Sequence, residues 1–197
     1  MEKQQHWQRA IDQYQRIVDG QRMPIDTGIL ETVVALNLLG LKTVASCEGH
    51  LSWGRGAPWV HIRADDTQRE DALVVLRRRE IQQQIETQSL SKDETNRLYA
   101  DFHQLEKQAE IKHVLLRQKL LEALALFYED RQVPYDQRLS IQDLGVISRL
   151  ESQGVSVLPG CVPEVKQQKL IAYQEEMRAF TVFLKCLYFG GEKNDRT

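Results

Sequence analysis

Cys47 and His50 offer a thiol and an imidazole spaced Cys-x-x-His, close enough to chelate one ion from a single turn. Zinc takes thiolate and imidazole donors and usually wants four of them. His61 is the third candidate. In Trp59-Val60-His61-Ile62, strand alternation puts His61 on a face with Trp59 and Arg63, opposite Val60 and Ile62. Glu48 or Asp65 would add an oxygen. The expected metal set is therefore Cys47, His50 and His61, with zinc as the cofactor. The structural alternative makes Cys47 a small buried hydrophobe and His50 a hydrogen-bonded loop residue.

Two other chemistries fit the same stretch. A strand that ends in a glycine-containing loop can aim several backbone N–H groups at an anion. Gly49, Gly54 and Gly56 allow close approach, and Arg55 can grip a phosphate or carboxylate with both arms of its fork. The small-molecule set is then Ser46, Cys47, Gly49, His50, Arg55 and Trp59. Neither a Walker sequence nor G-x-G-x-x-G is present. For catalysis, Cys47 would be the nucleophile, activated by His50 or His61, and Glu48 the acid or base. No third orienting residue stands out in the sequence.

These residues must be positioned by the elements around them. Asp26 and Thr27 are good caps for a helix that runs to about Leu39 on Ile29, Leu30, Val33, Val34, Leu36 and Leu38. Gly40 suits the left-handed position after its end. Leu41 to Ala45 reads as a strand, Ser46 to Pro58 as a loop, and Trp59 to Ile62 as a second strand. A helix from Glu2 to Val18, ended by Gly20, precedes this unit.

After it, Asp66 to Gln88 is helical in pattern and broken at Ser89 to Ser91. Ser91 and Glu94 have capping-box spacing and open a helix to about Tyr128, long for a globular protein. The pair predicts an antiparallel hairpin with a polar tip around 88–96. Residues 138–152 read as a β-hairpin turning at Gly145, with a short helix over 140–151 as the competing reading. Pro159-Gly160 is a turn, and Pro163 opens a last helix stopped by Gly190-Gly191. The expectation is α+β: about four strands in one sheet covered by helices, residues 1–65 and 131–197 forming one core domain, and 66–130 inserted as a helical hairpin.

The chain has 197 residues, with 26 Lys plus Arg against 28 Asp plus Glu, a formal net charge of −2. That balance does not support a general nucleic-acid binder. Three scattered cysteines, Cys47, Cys161 and Cys186, are not a disulfide framework. The first residues lack the apolar core of a signal peptide, and no membrane-length apolar run exists. A soluble cytoplasmic protein is expected. Arg77-Arg78-Arg79 reads as a solvated helix face. His103 and His113 are too far apart on one helix to share a turn.

The segment over 26–50 resembles a known family. Ile29, Val33, Leu36-Asn37, Thr43 and Ser46-Cys47-x-Gly49 are similar to the apolar helix, LN pair and SCSGR signature of the wybutosine-synthesising tRNA methyltransferases. Glu48 stands where that signature has serine, and His50 where it has arginine. The resemblance implies S-adenosylmethionine as cofactor, RNA as substrate and an RNA-modifying activity. The same helix–strand–SCxGH pattern also resembles small uncharacterised bacterial and phage proteins, which implies no activity. Three functions are therefore carried forward: a small-molecule or metal site over Ser46–His61, an S-adenosylmethionine-dependent RNA-modifying enzyme, and an interaction module that forms a homodimer through the helical hairpin.

Overall fold

The computed structural model describes residues 2–19, 22–52, 55–64, 67–88 and 90–190. Expectations for Gly20, Gly54, Asp65, Asp66, Ser89, Gly191 and the tail beyond it lie outside the described residues. The protein is α+β. In chain order come α1 (Glu2–Tyr14), α2 (Thr27–Leu38), β1 (Thr43–Cys47), β2 (Trp59–Ile62), α3 (Gln68–Thr87), α4 (Lys92–Phe127), β3 (Leu139–Asp143), β4 (Ser148–Ser152) and α5 (Pro163–Phe189). Short 3-10 segments cover Tyr135–Gln137 and Gln153–Gly160.

The four strands make one antiparallel sheet in the order β1-β2-β4-β3. Val60 pairs with Leu150, and Leu150 with Ile141. With Ile62 and Leu139 they face the helices, joining Leu30, Val34, Leu36, Phe180 and Leu184 in the main core. The alternate residues Trp59, His61, Arg149 and Glu151 fall on the opposite face, as the two-residue period requires. The reading of 138–152 as a β-hairpin holds; the helical alternative does not.

Three details differ from the sequence reading, the first being that α1 ends at Tyr14 and not at Val18, which bridges Pro24 instead. β1 begins and ends two residues later than expected, so Ser46 and Cys47 are its last residues and not part of the loop. Pairing decides this: Ser46 and Cys47 lie opposite Val60 and Trp59 and continue the ladder. At α2, the Asp26 side chain makes no capping bond. Its carboxylate accepts from Glu48 N at 3.0 Å instead. Glu48 reciprocates, its Oε2 accepting from Gly28 N at 2.7 Å, so the first turn of α2 is capped from across the fold.

The inserted hairpin is present. Ser91 and Glu94 form the capping box that opens the 36-residue α4. Val74, Ile81 and Phe102 make a small core of their own between α3 and α4. The last turns of α4 are different: Leu120, Leu124 and Phe127 belong to the main core. The boundary expected at residue 130 therefore cuts through packing that starts near Leu116. Where the two cores meet, buried His113 Nε2 lies 3.0 Å from Asp71 Oδ1, and Thr67 Oγ1 donates to Asp71 Oδ2 at 2.9 Å.

Candidate metal centre

The geometry of α2 and β1 brings the site together. Twelve helical residues advance about 18 Å and five strand residues about 17 Å. Gly40, with φ of 75°, turns the chain back, so the end of β1 returns beside the start of α2. Asn37 locks that turn: its Nδ2 donates to Thr43 Oγ1 at 2.7 Å and its Oδ1 accepts from Thr43 N at 3.2 Å.

Asp26, Cys47 and His50 meet as a result. One donor atom from each lies within 4.8 Å of the other two. His50 Nε2 stands 3.4 Å from Asp26 Oδ2. In a tetrahedral zinc site with bonds of about 2.0–2.3 Å, neighbouring donors stand roughly 3.3–3.8 Å apart. Cys47 is buried, while Asp26 and His50 are half-buried. Burial pushes the Cys47 thiol above its ordinary pKa; the Asp26 and Glu48 carboxylates push the same way, against the Gly49 N–H that donates to the sulfur. A thiol held protonated is a poor nucleophile, whereas a bound cation displaces the proton directly.

The side chain that meets Cys47 and His50 is that of Asp26, and His61 stands apart from them. His61 lies on the open face of the sheet, where its Nε2 accepts from Arg149 Nε at 2.8 Å. That bond occupies the ring's lone pair and leaves Nδ1 as the N–H. Trp59 packs against His61 with ring centroids 4.3 Å apart, and the Arg149 guanidinium lies 5.6 Å from the Trp59 ring. Arg55 belongs to the same group. Its Nη2 donates to Oε1 of the fully buried Glu151 at 3.1 Å and its Nε lies 3.1 Å from Oε2 as an ion pair, so its charge is met by the protein's own carboxylate. Burial raises the Glu151 pKa, partly offset by Arg55 and Arg149. The expected site thus divides: Cys47, Glu48, Gly49 and His50 gather with Asp26 at the strand end, and Arg55, Trp59 and His61 gather with Arg149 and Glu151 on the sheet.

Sequence reading assigned Asp26 only to capping. The signal was present in an acidic cap one helix–turn–strand unit away from the cysteine. Gly49 is where the sequence placed it and has φ of 86°. Next to the cluster, Gly28, Ile29, Glu48, Pro58, Gln174 and Met177 line a cavity of about 240 Å³. Gln174 Nε2 donates to the Glu48 carbonyl at 3.0 Å, which ties the loop to α5.

His61 supplies a pH prediction. Burial first, then the Arg149 and Arg55 charges, lower its pKa from 6.5 to about 4. Between those values the unfolded chain takes up a proton that the native protein does not, so stability falls as pH drops through that window. The ceiling is about 3 kcal/mol. Glu151 acts in the opposite sense, because the cost of its buried charge disappears when it protonates. Urea midpoints measured from pH 7 to 4 should fall for the wild type, and His61→Gln should remove most of the fall between 6.5 and 4.5. An unchanged slope in the variant would assign the effect elsewhere.

No helix among the described residues is long and apolar enough to cross a membrane. Comparison of the chain with protein-family models, curated proteins and solved structures gives no match.

Proposed function

We propose that the protein binds a single divalent transition metal, zinc by the chemistry of the donors, through Asp26 Oδ2, Cys47 Sγ and His50 Nε2. The observation that carries this reading is the convergence of three different donor types, from the start of α2, the end of β1 and the loop after it, within 4.8 Å. A mixed S, N and O set suits zinc better than magnesium or calcium, which take oxygen. Three protein donors leave a fourth position for water or a small ligand, the arrangement of sites that do more than hold a fold.

The test is titration of the metal-stripped protein with Zn2+ and with Co2+. One equivalent of either metal should bind, and the cobalt form should show a thiolate-to-metal charge-transfer band. Cys47→Ser should abolish that band, and Asp26→Asn or His50→Ala should weaken zinc binding by at least about 100-fold, beyond the usual loss from outer-shell changes. Absence of binding to the wild type would remove the proposal.

A second reading follows the family resemblance, in which the same helix–strand–loop unit serves an S-adenosylmethionine-dependent RNA-modifying enzyme. The Asn37–Thr43 bonds support it to the extent that they give two of the resembling positions a shared structural task. Calorimetry with S-adenosylmethionine and with mixed tRNA tests it; silence in both titrations removes it.

A further inference from the structure

The cavity of about 240 Å³ beside the Asp26–Cys47–His50 cluster is lined by none of those three side chains. It lies where the start of α2, the middle of α5 and the residue before β2 meet. Its floor is apolar: Ile29 and Met177 are each 1 % exposed, and Pro58 is buried. Its polar lining comes from Glu48, Gln174 and Arg178. Glu48 uses one carboxylate oxygen, Oε2, to accept from Gly28 N at 2.7 Å, and no described residue donates to its Oε1. Arg178 is exposed and meets no carboxylate among the described residues, whereas Arg55, Arg117 and Arg131 each meet one. Gln174 holds the Glu48 carbonyl at 3.0 Å, and Arg178 follows one turn, about 6 Å, further along α5. A half-used carboxylate and an unmatched guanidinium therefore border one small apolar hollow.

We propose that this cavity binds a free α-amino acid with an apolar side chain. Its ammonium group lies at Glu48, its carboxylate at Arg178, and its side chain on Ile29, Pro58 and Met177. The charges decide the class. A ligand that is only an anion would face the Glu48 carboxylate, with the Asp26 carboxylate bonded to the Glu48 N–H behind it. A ligand that is only a cation would face Arg178. A molecule carrying both charges close together meets its opposite at each. The guanidinium fork matches a carboxylate with two parallel N–H bonds. The Gln174 Nε2 is committed to the Glu48 carbonyl, which leaves the amide oxygen as a second acceptor for an ammonium group. Size agrees, since the space falls below the roughly 300 Å³ at which pockets for drug-sized ligands begin. Both the floor and the charged lining are present without a metal, so this proposal does not depend on the metal centre.

The test is isothermal titration of the metal-stripped full chain with L-valine, L-leucine and L-methionine. At least one of them should bind with one molecule per chain. For leucine, the decarboxylated and deaminated analogues, 3-methylbutylamine and 4-methylpentanoate, should each bind at least about tenfold more weakly, because each leaves one charge of the cavity unmatched. Arg178→Gln should weaken leucine at least about tenfold and leave the amine unaffected. Glu48→Gln keeps an oxygen for Gly28 N; it should weaken leucine and spare 4-methylpentanoate. Circular dichroism checks that both variants fold. A wild type silent toward all three amino acids at about 10 mM overturns the proposal. So do analogues that bind as tightly as leucine, or an Arg178→Gln protein of full affinity. Binding seen only after zinc is loaded would put the amino acid on the metal and also overturn it.

Discussion

Arg131→Ala is expected to destabilise the protein by up to about 3–5 kcal/mol, the cost of leaving a buried charge alone, reduced to the extent that water already reaches the 38 % exposed Arg131 side chain. Glu176 on α5 is 3 % exposed. Its carboxylate is held by Arg131 through Nε at 3.2 Å and Nη2 at 2.7 Å, and by the Tyr128 hydroxyl at 2.9 Å. The Tyr128 oxygen in turn accepts from Leu139 N at 2.7 Å, so one cluster joins the end of α4, the first residue of β3 and the middle of α5. Removing the guanidinium leaves a carboxylate that water barely reaches. For a chain of this size the loss corresponds to a fall in melting temperature of roughly 6–20 °C. The origin is checked with Arg131→Ala/Glu176→Met, which removes both charges and should recover much of the loss. A double variant no more stable than Arg131→Ala would place the cost in lost packing of the arginine stem.

Gly49→Ala should do comparable damage and also disturb the proposed metal centre. Gly49 has φ of 86°, which an L side chain resists, and a Cβ there would lie 2.6 Å from the Ala57 carbonyl carbon and 2.8 Å from Pro58 N. Both neighbours are backbone leading directly into β2, and His50 N already closes the loop onto Arg55 O at 3.1 Å. Neither side can give way without moving His50 relative to Cys47. Left-handed strain and overpacking together put the cost at about 2–5 kcal/mol. Gly28→Ala is the informative contrast. A Cβ there would come 2.5 Å from Glu48 Oε2, but that atom ends a side chain that can rotate aside. It should cost under about 1 kcal/mol, since it loses one capping bond, and leave zinc binding largely intact. Chemical denaturation and zinc titration of both variants would show the difference. Equal effects would mean that the loop backbone is not what sets the donor geometry.

The helices and the β-hairpin were legible in the sequence because each rests on a local period: capping at Ser91, alternation in Leu139–Asp143, Pro163 at a helix start. The candidate site was half legible. Cys47 and His50 are three residues apart, and short spacing carries its own geometry. Asp26 is 21 residues before Cys47, and only the equal lengths of α2 and β1 bring them together. The same limit explains His61. Alternation correctly turned it away from the core, but its neighbour there is set by the register of β2 against β4, which supplies Arg149. Arg55 likewise found Glu151, a residue 96 positions later that no local pattern points to. The end of β1 was missed because Ser and Cys before a glycine read as loop until the partner strand is in place.

The division of α4 between two cores has a mechanical consequence. Its root, from Leu120 to Phe127, is clamped in the main domain, and the helix then runs 28 residues from Leu120 back to Lys92. That length is about 42 Å of stiff rod with α3 packed along it, so a tilt of about 5° at the root moves the far end by roughly 4 Å. The fulcrum lies next to the buried His113–Asp71 pair, where α3 is pinned to α4. The hairpin is therefore a lever: a load at its far end is delivered, reduced in travel and multiplied in force, to the side chains around Leu120, and a small repacking there is read out as a large displacement at the other end.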